Sequence, residues 1–350
     1  MQVHERFVGL RLLDALAVAA HRVAQRDDRA ARDRVVLDGR VLLRVSLCGQ
    51  HARIVGDAHA GGEHPRAALA CVAVSTAAHP LELRLLRCTV RGCGAPLELA
   101  AHALVCARGH AFDRARAGHV NLLQPQDRRA PEPGDSSAAL LARERWFERG
   151  RAAALVAALA ARGAASASGA WLDLCCGTGA FTRALAPRGP AFGLDLAAFA
   201  IERAAKRDPA RAWLVANADR GLPFVDGALE RVLAVQARLP ERELARVVAP
   251  GGRVIAVLPG ARDQLELRER VLADARPLEH AERTRALFGA GWRVAHEEQL
   301  EARVACDRAA LADALALAYR GQRASETARL AGVDELVVTQ AWHVLELERC

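Results

Sequence analysis

The second half of the chain alternates strand-like and helix-like segments, and this alternation restricts the fold more than any other feature. From Ala170 onward the sequence reads WLDLCC, AFTRALA, AFGLDL, AAFAIERAAKR, AWLVAN, ERVLAVQ, ERELARVV and RVIAVLPG, and most short apolar runs are followed by amphipathic ones. Strands that alternate with helices form parallel sheets through right-handed crossovers. The sequence therefore predicts an α/β fold with a doubly wound, mostly parallel sheet.

Further segments extend this pattern on both sides. Near the C-terminus, RVAC, RAALADALALAYR and LVVTQAWHVLEL predict a strand, a helix and a strand, with the two strands antiparallel at a sheet edge. Before the sheet, Asp135 and Ser136 offer side-chain oxygens that can accept hydrogen bonds from the first N–H groups of a helix. We therefore expect a helix from Ala138, with a break or bend near Gly150.

The first strand of the alternating region leads into a glycine-containing loop. Residues 172–182 read LDLCCGTGAFT, in which Gly177 and Gly179 separate a strand that carries Asp173 from the next helix. Small residues there let a ligand approach the backbone at the carboxyl edge of the sheet. The loop lacks the third glycine of a dinucleotide fingerprint and the lysine of a P-loop, which disfavours a nucleotide phosphate as its ligand.

Later positions favour an adenosine ligand. Asp195 ends the second strand, where its carboxylate can accept hydrogen bonds from both ribose hydroxyls. Asn217 and Asp219 follow the third strand in VANADRGLPF, where they can read the edge of an adenine. The ordered set of glycine loop, Asp195, this loop and APGGRV resembles class I S-adenosylmethionine-dependent methyltransferases over about residues 168–260. A dinucleotide-binding Rossmann domain is the alternative.

A cluster of potential metal ligands precedes this region. Cys88, Cys93, Cys106 and His110 form two short-spaced pairs, C-x4-C and C-x3-H, each on a glycine-containing turn. Two such pairs can hold one tetrahedral Zn²⁺, and a short segment needs a metal to supply folding energy. Four protein ligands leave no open position, so the predicted zinc is structural. The alternative is a set of free thiols with a surface histidine.

With this cluster included, the chain resembles the RlmA family over residues 86–350. The family comprises 23S rRNA guanine-N1 methyltransferases with an N-terminal zinc ribbon, and the resemblance rests on the cluster, AFDRARAGHVNLLQPQ and PGDSSAALLARERWFERG. It implies S-adenosyl-L-methionine as cofactor, one Zn²⁺ and a 23S rRNA hairpin as partner, and it leaves a homodimer open. The expected cofactor-binding residues are Asp173, Cys175, Gly177, Gly179, Phe181, Thr182, Asp195, Leu196, Asn217 and Asp219.

The sequence departs from the family at the substrate side. Ala152 stands where the family often has Tyr, residues 236–238 read QAR in place of aromatic-Ala-Pro, and residues 261–263 read ARD in place of Pro-Arg-His. These changes affect the identity of the substrate more than cofactor binding. Because guanine N1 carries a proton, a group must accept it during transfer. Gln236 could orient the base and Asp263 could accept the proton, although either could be a positioning or surface residue.

The charge balance favours a polyanionic partner. The formal net charge is +8, and Lys206 is the single lysine beside 48 arginines, a bias that a GC-rich genome also produces. Arginines and a histidine that flank the predicted ribbon could contact RNA phosphates, and a solvated arginine surface is the alternative. These residues are Arg114, Arg116, His119, Arg128 and Arg129.

The chain divides into four predicted segments. Residues 1–84 carry no motif and read as an unassigned, poorly packed extension or as translated upstream sequence; they are followed by a zinc ribbon (85–125), a linker with helices (126–167) and the methyltransferase domain (168–350). No apolar run is long enough to span a membrane and the N-terminus is a poor signal peptide, so we expect a reduced, cytoplasmic protein. Two other functions stay open: a methyltransferase of small molecules and a non-catalytic RNA-binding protein.

Overall fold

The computed structural model describes the backbone of three strands within residues 32–56, and residues 82–100, 102–128, 133–272, 276–317 and 328–350. The chain divides into two compact units, Met1–Ala78 and His79–Cys350. In the first unit, β1 (Arg32–Leu37), β2 (Arg40–Cys48) and β3 (His51–Gly56) form an antiparallel sheet in sequence order. The extension was expected to be unassigned, and these strands give it local structure.

The second unit begins with the predicted ribbon. Strands β4 (Leu97–Ala100), β5 (Ala103–Cys106) and β6 (Ala111–Asp113) form a three-stranded antiparallel sheet. The segment before them is attached to the methyltransferase region, because Arg87 N–H donates to the carbonyl of Pro223 at 3.0 Å and Val225 N–H donates to that of Leu85 at 2.9 Å. The ribbon is therefore joined to the larger domain by backbone hydrogen bonds.

The stretch predicted as ribbon also supplies a strand to the main sheet. Strand β7 (Val120–Asn121) pairs in parallel with a later strand at the edge of that sheet. Helix α1 (Ser137–Glu148) then begins as expected, because the Ser136 hydroxyl accepts the N–H of Ala139 at 3.3 Å. The predicted break follows at Gly150, whose φ is 70°, and α2 (Ala153–Ala161) continues beyond it.

The rest of the chain forms the main sheet and its helices. The elements are, in order, β8 (Trp171–Leu174), α3 (Ala180–Leu185), β9 (Ala191–Asp195), α4 (Ala198–Arg207), β10 (Ala212–Val215), β11 (Leu229–Val235), α5 (Glu241–Val247), β12 (Val248–Pro259), α6 (Leu265–Leu272), α7 (Ala281–Leu287), β13 (Trp292–Asp307), α8 (Arg308–Leu317) and β14 (Glu335–Arg349).

The strand order of the main sheet is β13-β14-β12-β11-β8-β9-β10-β7. Strands β7 to β12 in this sheet are parallel, whereas β14 is antiparallel to both β12 and β13. The doubly wound, mostly parallel sheet and its antiparallel edge are thus confirmed. Parallel strands bring the loops after β8, β9, β10 and β11 to one edge, which is where ligands bind in such sheets.

A continuous core connects the ribbon with the sheet. Leu97 and Leu104 of the ribbon belong to the same buried cluster as Phe192 of β9 and Phe224 after β10. The rings of Phe192 and Phe224 meet edge to face with centroids 5.1 Å apart. Each fully buried side chain of this size contributes about 1.5–3 kcal/mol. Among the described residues, no helix is both long and apolar enough to cross a membrane.

Candidate active site

The four predicted metal ligands lie together in the ribbon. One ligand atom from each of Cys88, Cys93, Cys106 and His110 fits within a cluster whose members are at most 4.8 Å apart. The sulfurs of Cys93 and Cys106 are 3.8 Å apart, and the Cys106 sulfur is 3.3 Å from Nδ1 of His110. Thiolates bound to one tetrahedral zinc at the usual bond length lie about 3.8 Å from each other. The donor set and its spacing therefore fit a structural zinc ion.

Local backbone geometry favours this arrangement. Gly92 and Gly94 on either side of Cys93 have φ of 71° and 60°, a left-handed conformation that glycine adopts without a Cβ clash. Burial raises the pKa of Cys106, but N–H groups of His110 and Arg108 outweigh burial and lower that pKa to about 6. The thiolate, which is the form that binds metal, is consequently favoured at neutral pH for Cys106, whereas burial raises the pKa of Cys88 to about 12.

The glycine loop between β8 and α3 lies on a tryptophan. Gly177 and Gly179 have φ of 55° and 73°, and Cys175 takes the same left-handed region with φ of 58°. A Cβ on Gly179 would lie 2.3 Å from the ring of Trp213, and one on Gly193 would lie 2.2 Å from it. The absence of side chains at these two glycines therefore lets Trp213 pack beneath the loop.

Asp195 at the end of β9 is hydrogen-bonded to the loop. Its Oδ2 accepts the N–H of Gly177 at 2.8 Å, and its Oδ1 accepts the N–H of Ala197 at 2.9 Å. Burial raises the pKa of Asp195, and these two N–H donors oppose the rise. A carboxylate offers about four acceptor positions, so two are left for a ligand. Two hydroxyls of one ribose are a matching set of donors.

Asp173 and Thr182 connect the two elements that flank the glycine loop. The Thr182 hydroxyl donates to Asp173 Oδ2 at 2.7 Å, and both side chains are buried. Burial raises the pKa of Asp173 to about 7. This pair joins β8 to α3 and so holds the two ends of the glycine loop together; the predicted cofactor contact of both residues stays a prediction. Phe181, also in the predicted set, packs edge to face on Phe147 with centroids 5.3 Å apart.

The loop after β10 carries the predicted adenine-reading residues. The Asn217 amide donates to Asp127 Oδ1 at 3.2 Å, and its oxygen accepts the N–H of Asp219 at 3.1 Å. Asp219 forms an ion pair with Arg238 at 3.2 Å, which connects this loop to the one after β11. Arg238 occupies the position where the family has proline, and its side chain is 83% exposed.

The two predicted catalytic candidates follow β11 and β12. Gln236 is exposed and has φ of 50°, and its N–H donates to the carbonyl of Val257 at 2.7 Å. A non-glycine residue in this conformation is strained, which is common at functional sites. Asp263 accepts the N–H of Ala341 at 3.0 Å, and burial raises the pKa of its carboxyl to about 6.

The predicted RNA-contacting residues do not form one set. Arg114 and Arg116 are exposed beside β6, whereas His119 is buried near Glu202 and Lys206 of α4. Burial lowers the pKa of His119 and removes its side chain from the surface that the arginines share, which differs from the prediction. Arg128 ends a short 3-10 helix, Pro125–Arg128, and Arg129 lies outside the described residues.

Comparisons with known proteins agree with both parts of the site. The family model described as RlmA, N-terminal, matches residues 86–130, and a methyltransferase domain model matches residues 172–252. A Micromonospora griseorubida protein that carries the name 23S rRNA (guanine-N(1)-)-methyltransferase is 34% identical over 216 residues, which cover 55% of this chain and 72% of that protein. The chain belongs to the RlmA family.

Other relatives are similar over parts of this RlmA-family protein. The 23S rRNA (guanine(748)-N(1))-methyltransferase of Streptomyces fradiae is 37% identical over 184 residues, which cover 51% of this chain and 64% of that one. Among solved structures, the YcgJ protein from Bacillus subtilis matches 56% of this chain and 98% of its own, with 16% identity and a TM-score of 0.40.

Family membership makes the protein an S-adenosylmethionine-dependent methyltransferase with a zinc ribbon. The residues present fit both groups. The ligand cluster has the donors and spacing of a zinc site. Asp195 retains two acceptor positions for a ligand, and it lies beside the glycine loop, where Gly179 has no side chain and packs on Trp213. The expectations of an α/β methyltransferase, of S-adenosylmethionine and of zinc are thereby confirmed.

Residues from outside the sheet, which we did not predict for the site, also lie at the glycine loop. Arg143 of α1 lies over the glycine loop, with Nη1 3.9 Å from where a Cβ of Gly177 would be. Asp135, which we expected only as a helix cap, forms an ion pair with Arg143 at 2.8 Å. The spacing of Asp135 and Arg143 around the N-terminus of a helix was the only available signal, because the contact with Gly177 spans 34 residues.

Proposed function

We propose that this RlmA-family protein transfers a methyl group from S-adenosylmethionine to N1 of a guanine in a 23S rRNA hairpin. Two relatives are named as 23S rRNA guanine-N1 methyltransferases. The structural observation that supports it best is the single core shared by the ribbon and the sheet, which includes Leu104 and Phe224. RNA bound to the ribbon would therefore lie at a fixed position relative to the donor site.

The proposal gives each segment a task. The ribbon (85–125) binds RNA, residues 126–167 cover the glycine loop, and residues 168–350 carry the donor site and the transfer. Strand β7 belongs to the ribbon segment but pairs with β10, so it connects the RNA-binding segment directly to the domain that carries the donor site. Residues 1–84 have no part in this scheme.

A cleft between ribbon and sheet suits a nucleic acid strand. It has a volume of about 590 Å³ and extends from the turn that carries Cys88 and Cys93 to the loop after β10. Arg87, Arg91 and Arg220 line it, together with the amide of Gln124. Guanidinium groups bind phosphates and amides can pair with base edges. With Arg114 and Arg116 exposed on the ribbon, these groups form the proposed RNA-contacting surface.

The donor site lies where the loops after β8, β9 and β10 meet. Asp195 accepts the ribose hydroxyls, Asn217 and Asp219 contact the adenine edge, and the backbone of the glycine loop lies beside the rest of the donor. Bound S-adenosylmethionine supplies a methyl group on a sulfonium, which is transferred by in-line displacement. Such a displacement needs no covalent nucleophile, so the main contribution of the protein is to position both reactants.

The acceptor nitrogen must lose a proton. Gln236, exposed at the end of β11, can hold the base by hydrogen bonds. Asp263 follows β12, the strand next to β11, and its pKa of about 6 leaves much of the carboxylate ionised at neutral pH. In this proposal Gln236 orients the guanine and Asp263 accepts the N1 proton.

Transfer of labelled methyl groups tests the function. Incubation with the labelled donor should label 23S rRNA from a strain that lacks the gene, and no labelled small metabolite should appear. A labelled metabolite together with unlabelled rRNA would instead identify a small-molecule methyltransferase. Asp195→Ala should remove the labelling.

RNA binding provides a second test. Affinity should fall steeply with salt because phosphate contacts release counterions. Arg114→Ala combined with Arg116→Ala should lower RNA affinity and flatten the salt dependence, and donor binding should be unchanged. Arg283→Ala, an exposed arginine on α7, is the matched control and should leave the slope intact. Light scattering of the protein tests a homodimer, and fractionation of cells tests the cytoplasmic location.

A further inference from the structure

The turn before α1 and the first part of that helix cover the donor site. Gly134 has φ of 92°, and a Cβ there would lie 3.0 Å from the backbone nitrogen of Ala197, just after Asp195. Further along, Leu140 Cδ2 and Arg143 Nη1 are each 3.9 Å from the Cβ position of Gly177. This segment is therefore packed on both the ribose-binding end of β9 and the glycine loop.

This segment carries one positive and one negative side chain beside the glycine loop and the end of β9. Arg143 Nη1 is 2.8 Å from Asp135 Oδ2, and the side chains are 44% and 17% exposed. Both charges also act on Asp195, since Asp135 raises the pKa of that carboxyl and Arg143 lowers it, each less than burial does. The three groups thus lie within electrostatic range of one another at the carboxyl edge of the sheet.

Other ion pairs of α1 have a different arrangement. Glu144 is buried and pairs with Arg203 and Arg207 of α4, and Arg145 pairs with Asp313 of α8 at 2.5 Å. Those pairs connect α1 to other helices and stabilise its position. The Arg143–Asp135 pair connects α1 only to the turn that precedes it, so it contributes no link to another helix.

S-adenosylmethionine carries a complementary pair of charges. Its methionine end is a zwitterion, with a carboxylate and an ammonium group, and it extends from the ribose that Asp195 is positioned to bind. We propose that Arg143 binds the carboxylate and Asp135 the ammonium group of the donor's amino-acid end. A guanidinium binds a carboxylate through two parallel hydrogen bonds, and a carboxylate accepts from an ammonium group. The assignment rests on the donor being S-adenosylmethionine and not on the identity of the RNA.

Ligands that differ at one group test this assignment by calorimetric titration. Arg143→Gln should weaken binding of S-adenosylhomocysteine at least tenfold, and binding of 5′-methylthioadenosine, which lacks the amino-acid end, should change less than twofold. Decarboxylated S-adenosylmethionine should bind wild type and Arg143→Gln with similar affinity. Asp135→Asn, which keeps the size of the side chain and removes its charge, should weaken binding of S-adenosylhomocysteine and of the decarboxylated donor, but not of 5′-methylthioadenosine.

Arg149→Gln, at the residue that directly follows α1, is the matched control. Arg149 is 3.6 Å from Asp313 and 3.9 Å from Asp307, on the side of α8, and its replacement should leave all affinities unchanged. An equal loss for every ligand in Arg143→Gln would assign Arg143 to loop structure and overturn the proposal, as would no loss for any. Thermal unfolding of each variant separates these outcomes from misfolding. Donor binding with the expected pattern but no methylated RNA would overturn the proposed function and leave this assignment standing.

Discussion

Asp195 accepts the N–H of Gly177 at 2.8 Å, so the end of β9 and the glycine loop are held together by the same carboxylate that the donor would use. A second oxygen accepts the N–H of Ala197 at 2.9 Å. A carboxylate has about four acceptor positions, so two remain for the ribose hydroxyls that we propose it binds. Two backbone N–H groups therefore hold the Asp195 carboxylate in place at this edge of the sheet.

Replacement of Asp195 should have a large effect on donor binding. Asp195→Ala would remove the two charge-assisted hydrogen bonds that we propose this carboxylate accepts from ribose, each worth about 1.5–3 kcal/mol, and would leave the N–H of Gly177 without its acceptor. Calorimetric titration with S-adenosylmethionine should show affinity at least tenfold weaker. Asp195→Asn keeps one oxygen acceptor and should lose less. Wild-type affinity in the alanine variant would mean that ribose binds elsewhere.

Asp173 should make stability depend on pH in an unusual direction. Its pKa is about 7 in the folded protein against an ordinary 3.8, so between about pH 4 and 7 the folded state holds a proton that the unfolded state has lost. This contribution to the free energy of unfolding is complete below about pH 4 and disappears as pH rises to about 7.

The Asp173→Asn variant isolates the contribution of this proton to the free energy of unfolding, because an amide oxygen can still accept a hydrogen bond from the Thr182 hydroxyl. Urea unfolding at several pH values should show the variant gaining stability relative to wild type as pH rises from 4 to 7. A difference that stays constant over this range would show that Asp173 titrates normally.

Replacing Cys175 by glycine should destabilise the protein less than replacing it by a β-branched residue. Its φ of 58° is costly for any residue with a Cβ and most costly for β-branched ones. The free energy of unfolding of Cys175→Gly should be within about 1 kcal/mol of the wild-type value, whereas that of Cys175→Val should be lower by about 2 kcal/mol. Urea midpoints measure both. Equal stability of the two variants would contradict the left-handed conformation.

Zinc should be present at one ion per chain and depend on the cluster. Cys106→Ala removes one of four ligands, and the ribbon shares its core with the sheet, so we expect loss of zinc and a lower melting temperature. Cys350→Ala, which changes an exposed cysteine outside the cluster, should retain the metal. Elemental analysis distinguishes the two variants, and a zinc-free wild type would mean that the cluster consists of thiols.

Local patterns predicted the features that depend on neighbouring residues. The alternating strands, the cap at Ser136, the break at Gly150 and the ligand spacing all follow from short-range chemistry. The position of Asp195 followed from the same reasoning, because the end of a parallel strand always lies at the ligand-binding edge.

Features that depend on tertiary contacts could not be predicted. Strand β7 has only two residues, too few for any pattern, and it exists because β10 offers an unpaired edge. The hairpin of the first unit is a different case, because Asp38-Gly39 between β1 and β2 is a pair typical of two-residue hairpin turns, so the sequence did carry a signal for it. The burial of His119 and the location of Arg143 over Gly177 arise from packing between segments distant in sequence.

The nucleoside formed in 23S rRNA tests the central claim most directly. RNA from a strain that lacks the gene, treated with the protein and S-adenosylmethionine, should yield N1-methylguanosine by mass spectrometry of its nucleosides. Reverse transcription should stop at one hairpin guanine, because the methyl group blocks the pairing edge. Asp195→Ala should give neither signal. Recovery of another methylated nucleoside, or of no methylated nucleoside while the protein binds the donor, would contradict the account.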